Sequence, residues 1–150
     1  GLTEYSQLEQ KAEEASDRFH ALSDQIKQTE TALKANMELK AATVQYAKTR
    51  PVFDKYKESK YSRKFLAEHE ADIGLYRAAQ ADMRRLLGGA KLPKMEAQKE
   101  EGRKLIAKKK RLYGEYQKAR RDMQEVLTIK ANIDCLLGYS EPAKKKEMER

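Results

Sequence analysis

The side chains able to carry chemistry are few and scattered along this 150-residue sequence. Its two histidines, His20 and His69, stand 49 positions apart. A zinc or similar site needs three or four ligands converging, and no Cys/His spacing here supplies them. His20 follows Phe19 and is expected at the edge of a helical seam. His69, between Glu68 and Glu70, is expected on a helix surface. Cys135 is the single cysteine, so it forms no intrachain disulfide. It falls in the last turns of an amphipathic helix, where burial is open to it, far from a helix N-terminus that would lower its pKa. Phosphate-binding glycine loops and a nucleophile elbow are missing from the sequence. The acidic residues fall on faces expected to be exposed, so a catalytic carboxylate pair is not expected. These readings point to a non-catalytic chain without cofactor or metal.

The distinctive chemistry is basic. The net charge is +8, and residues 99–121 carry ten basic and three acidic side chains. The remainder nearly balances, at −1 for residues 1–50, +3 for 51–98 and −1 for 122–150. The basic stretch contains Arg103, Lys104, Lys108, Lys109, Lys110, Arg111, Lys118, Arg120 and Arg121. Cations repeated along one rigid helix suit a polyanion whose phosphates recur along an axis, and DNA is the expected ligand. The competing reading is a solvated helix face balanced by acidic residues of another helix. Tyr113 and Tyr116 flank the run but fall near the apolar stripe, so base stacking on a single strand is weakly supported.

The elements that must position this stripe are helices. Ala, Glu, Lys, Leu and Arg make up 83 of the 150 residues, while there are only 7 Gly, 3 Pro and no Trp. That composition excludes an all-β sandwich and marks long helices or coiled coil. Mean hydropathy is −0.94, with no apolar run near the ~20 residues of a membrane span. A polar start without signal-peptide character and a lone cysteine suit a reducing, cytoplasmic setting.

Breakers divide the chain. Pro51 disfavours helix at Arg50, so one long helix is expected over about 3–48. Gly88 and Gly89 suit a helix C-cap, and Pro93 suits the first turn of a second long helix running over about 93–137, closed by Gly138. Between them, residues 51–88 are expected to form a compact helical cap: a short helix, a turn near Ser59–Tyr61, Ser62 as N-cap, then a helix from about Arg63 to Leu87. Residues 1–138 read as one helical domain and 139–150 as a flexible tail.

The first long helix carries Leu8, Ala12, Ala15, Phe19, Leu22, Ile26, Thr29 and Leu33 in steps of four and three, a seam of period 3.5. The step then changes to Met37, Ala41 and Val44, which reads as a stutter. The last helix carries Leu105, Leu112, Tyr116, Ala119, Met123, Val126, Ile133 and Leu137, with recurring separations of eleven that suit a nearly straight helix. Lys109 and Lys130 interrupt this stripe, and Gly102 and Gly114 weaken the helix. Two long helices with one apolar face each are expected to fold back as an antiparallel two-helix coiled-coil hairpin. Matching their ends places Phe19 near Met123 and Ile26 near Tyr116.

Three strings, YAKTRPVFDKYKESKYSRKFLAEHEADIGLYRAA (Tyr46–Ala79), LPKMEAQKEE (Leu92–Glu101) and EYQKARRDMQEVLTIKANIDCLLG (Glu115–Gly138), resemble the C-terminal helical region of relaxase/mobilisation nucleases of Gram-positive conjugative and mobilisable elements. The resemblance covers nearly everything from Thr3 to Gly138. It implies a parent enzyme whose N-terminal domain nicks DNA with a tyrosine and a histidine-bound metal. None of those residues maps onto a position here. It further implies that this part holds DNA non-specifically through backbone contacts, assembles the relaxosome, or engages coupling proteins in the bacterial cytoplasm. The alternative is a coiled-coil interaction or homodimerisation module with no direct DNA binding.

Overall fold

The computed structural model describes residues 2–138. They form four helices: α1 (Leu2–Glu58), α2 (Arg63–Glu68), α3 (Glu70–Leu87) and α4 (Met95–Leu137). Among the described residues there is no strand. The contacts group the chain into two compact units, one from Gly1–Gln28 with Lys108–Arg150 and the other from Thr29–Ala107. The expected tail, 139–150, lies outside the described residues.

In the first unit, the early part of α1 lies against the later part of α4. Leu22, Ile26, Leu112 and Ala119 form a buried cluster, with Tyr116 packed on it. The ring of Phe19 meets that of Tyr116 at 4.9 Å, and the Tyr5 hydroxyl donates to the Asp134 carboxylate. Rising numbers on α1 therefore meet falling numbers on α4. The partner of Phe19 is thus Tyr116, seven residues before the Met123 that end-matching predicts.

Pro51 does not end the helix: it lies within α1, which continues to Glu58. An internal proline forfeits one backbone hydrogen bond. Burial offsets that cost, because the residues beyond it carry the aromatic core of the second unit. Phe53 stacks on Tyr76 at 4.1 Å, and Tyr76 on Tyr46 at 5.0 Å. Tyr56 is buried, with Phe65 stacked at 6.1 Å and Tyr61 edge-on at 5.2 Å. The expected short helix after Pro51 is therefore the end of α1, and the aromatic cap is where the sequence places it.

The turn at Ser59–Tyr61 is present, with Lys60 and Tyr61 in left-handed backbone at φ 59° and 60°. Ser59 Oγ holds it by donating to the Tyr56 carbonyl and accepting from the Ser62 amide. Ser62 caps α2 by accepting from the Phe65 amide. The helix expected from Arg63 to Leu87 breaks at His69 (φ −123°, ψ 26°), which ends α2 and begins α3. Gly88 closes α3 in left-handed backbone at φ 55°. Gly138 has the same handedness at the end of α4. Pro93 precedes α4, which begins at Met95, and the Pro93 carbonyl accepts from Gln98 Nε2 at 3.0 Å.

Burial along α1 follows the expected seam from Leu8 to Leu33 and then departs from it. Met37, Ala41 and Val44 are exposed; Asn36, Ala42 and Thr49 are buried. After Leu33 the three-residue step lands on Asn36, a polar side chain that a search for apolar residues passes over. Its Nδ2 donates to the Gln98 carbonyl at 2.9 Å, while Gln98 Nε2 reaches Thr43 Oγ1 at 3.2 Å. These bonds satisfy the two amide nitrogens, whereas Asn36 Oδ1 and Gln98 Oε1 are buried without a hydrogen-bond partner among the described residues.

On α4 the inward positions step by four and three through Gln98, Gly102, Leu105, Lys109, Leu112, Tyr116, Ala119, Met123, Val126, Lys130 and Ile133. Lys109 and Lys130 therefore occupy the seam, with their ammonium groups 5.9 Å from the rings of Tyr113 and Tyr5. Leu137, expected on the stripe, is exposed.

Candidate nucleic-acid interface

The expected site residues lie on α4, and the helix separates them by face. In the first unit, Lys110, Arg111, Lys118 and Arg121 are exposed on the side away from the buried Leu112 and Ala119. Arg111 and Lys118, seven residues apart, share one row about 10.5 Å long. Lys108 and Arg120 are exposed beside the seam, and Lys109 is half-buried within it. Arg103 and Lys104 belong to the second unit and are exposed. Arg103 is paired with Glu100 at 3.1 Å.

Among the described residues, no carboxylate lies within 4.0 Å of Lys104, Lys108, Lys110, Arg111, Lys118, Arg120 or Arg121. The one ion pair in this set, Arg103 with Glu100, is made within α4 itself and not with the other long helix. On α1 of the same first unit, Glu13, Glu14, Asp17 and Asp24 are exposed, opposite in side to the buried Ala12, Leu22 and Ile26. Acidic side chains thus outnumber basic ones on the exposed surface of α1 in this unit and basic ones predominate on α4, where exposed Glu115, Asp122 and Glu125 are interspersed among them. Exposed ammonium and guanidinium groups without counter-ions can neutralise phosphates, and nothing in their arrangement offers base-specific readout.

One cluster escaped the sequence reading. Asp134 is buried, accepting from the Tyr5 hydroxyl and from Lys130 Nζ at 3.1 Å. The tyrosine hydrogen bond, reinforced by Lys130, holds the Asp134 carboxyl below its usual range. The same carboxylate raises Tyr5 and Lys130 above theirs. Lys130 and Asp134, four residues apart on the seam side, were the available signal. Their meaning required knowing that Tyr5 comes across from α1.

The other candidate side chains do not converge. His20 is exposed, edge-on to Phe19 at 5.5 Å. His69 sits at the α2–α3 junction, half-buried with its ring 4.3 Å from Phe65, rather than on a helix surface. Cys135 is free and exposed. Among the described residues, no group of three or more His, Cys, Asp or Glu is placed to hold a metal, and no helix is long and apolar enough to cross a membrane. Compared with protein-family models, curated proteins and solved structures, the chain matches none.

Proposed function

We propose that this chain is a non-catalytic accessory module of a bacterial DNA-transfer relaxase, acting in the cytoplasm and holding DNA through the outward face of α4. The observation that carries this reading is the group Lys110, Arg111, Lys118 and Arg121, exposed and without counter-ions on one helix face. The proposed scaffold is an antiparallel coiled-coil hairpin of α1 and α4 with α2 and α3 as its cap. Its mechanism is phosphate neutralisation with counter-ion release, without base readout. The relaxase assignment rests on the resemblance of the three strings quoted above.

The test is duplex binding by fluorescence anisotropy as a function of salt. Four neutralised phosphates set a slope of log affinity against log salt of about −3.6, so affinity falls roughly a hundredfold between about 50 and about 200 mM salt. Arg111→Gln with Lys118→Gln halves the slope to about −1.8. Absence of binding at low salt, or a slope that the substitutions leave unchanged, refutes the reading. A second role, protein–protein association, is supported by the exposed apolar end of α4, where Leu136 is 85% exposed.

A further inference from the structure

The second unit carries a groove of about 660 Å³ between α1, α3 and the start of α4. Val44 (48% exposed) and Leu75 (45% exposed) line it with the half-buried Met95. Lys40, Lys48 and Lys99 rim it, and among the described residues none of them has a carboxylate within 4.0 Å. Asp72 is the one acidic residue in the lining, so the rim stays net positive. Gln45 Nε2 donates to the Leu75 carbonyl at 2.7 Å and ties α1 to α3 within the lining. An apolar trough with a cationic rim fits an amphipathic helix bearing carboxylates.

The chain itself carries such a helix. At the end of α4, Ile129 (44% exposed), the half-buried Ile133, Leu136 (85%) and Leu137 (53%) follow the i, i+4, i+7, i+8 spacing of a single helical stripe. Asp122 and Glu125, both exposed, precede the stripe by one to two turns. From Ile129 to Leu136 the stripe is about 10.5 Å long, and the groove wall from Lys40 to Lys48 is about 12 Å long. Apolar character, length and charge all correspond.

We propose that the end of α4 from one copy of this chain seats in the α1–α3–α4 groove of a second copy. Ile129 and Leu136 press on Val44, Leu75 and Met95, while Glu125 and Asp122 approach the rim lysines. The contact is head-to-tail, using two different patches. It is independent of DNA binding and gives the association reading its surfaces.

The test is sedimentation velocity of the full chain and two double variants, with helix content checked by circular dichroism. Val44→Lys with Leu75→Lys removes the groove, and Ile129→Lys with Leu136→Lys removes the end stripe. All four residues are substantially exposed, so the fold tolerates both changes. The wild-type chain is expected to self-associate, and each double variant to do so more than about tenfold more weakly. An equimolar mixture of the two variants is expected to form a one-to-one pair that grows no further, because only one intact contact can form between them. A wild-type chain that stays monomeric at about 100 μM overturns this proposal and leaves only association with a different protein standing. Association that survives the groove substitutions, or variants that fail to pair when mixed, overturns the proposal and leaves the association reading standing. Duplex anisotropy of the groove variant is expected to match wild type.

Discussion

Replacing Gly102 and Gly114 by alanine should move stability in opposite directions, although both glycines lie within α4. On propensity alone each substitution gains about 1 kcal/mol, because glycine gives up more backbone freedom in a helix. At Gly114 nothing lies within 4 Å of an added Cβ, so the gain is realised at about 0.5–1 kcal/mol. Gly102 is buried, and an added Cβ would lie 2.7 Å from Asn36 Oδ1 and 3.4 Å from Lys40 Nζ. Asn36 cannot simply turn aside, because its Nδ2 is bonded to the Gln98 carbonyl at 2.9 Å. Overpacking costs about 1–3 kcal/mol, and leaving the buried Asn36 amide unpaired costs about 1–3 kcal/mol more. Against the propensity gain of about 1 kcal/mol, Gly102→Ala should destabilise by about 1–5 kcal/mol. In a chain of this length, that lowers Tm by about 2–4 °C for each kcal/mol.

Thermal and urea unfolding followed by circular dichroism read both variants. A double variant, Asn36→Ala with Gly102→Ala, isolates the cause. If contact with the Asn36 amide is responsible, the two changes are non-additive by about 1 kcal/mol or more, with the double variant the less damaged. Equal or greater stability of Gly102→Ala relative to wild type would falsify the close-approach argument.

Further outcomes follow from the Tyr5–Asp134–Lys130 cluster and from Pro51. The folded Asp134 pKa lies below its usual value of about 4, so its contribution is present above that pH and is lost as pH falls through the lower folded value. Wild type should therefore exceed Asp134→Asn in denaturation midpoint at about pH 7, with the gap closing towards about pH 2; a gap constant across pH refutes the assignment. Tyr5 and Lys130 have raised pKa values, so their contributions are intact below about pH 10 and fade as pH rises through the folded values. Tyr76, pushed up to about 12 by its hydrogen bond with Tyr46, should ionise well above the ordinary tyrosine value of about 10 in an ultraviolet titration, and Tyr46→Phe should bring it down. Pro51→Ala should raise the unfolding free energy by about 1–2 kcal/mol, read as a higher denaturation midpoint, because Pro51 is exposed and the substitution restores a donor to the Ala47 carbonyl, less the entropy returned to the unfolded chain. A lowered midpoint would mean that the packing of Phe53 and Tyr56 depends on the proline.

Composition and spacing determined the helical class, the seam from Leu8 to Leu33, the Ser62 cap, the Gly88 and Gly138 stops, and the location of the aromatic cap. These features are local: a 3.5-residue period, a side chain reaching three residues ahead, or a backbone angle that glycine adopts at low cost fixes each within a few residues. The basic stretch was equally legible, because charge is additive along a sequence. The rest depended on what approaches from elsewhere in the chain. Pro51 stays helical because Tyr76 and Phe65 receive the aromatics beyond it. Asn36 is buried while Met37 is exposed because the Gln98 carbonyl accepts from its amide and Gly102, lacking a Cβ, leaves it room. Lys130 is neutralised and Arg111 is not, because Tyr5 and Asp134 enclose one while the other faces solvent. A sequence states each residue's own preferences, but the energy of a buried polar group or an internal proline is set by its partners, and only the tertiary structure supplies them.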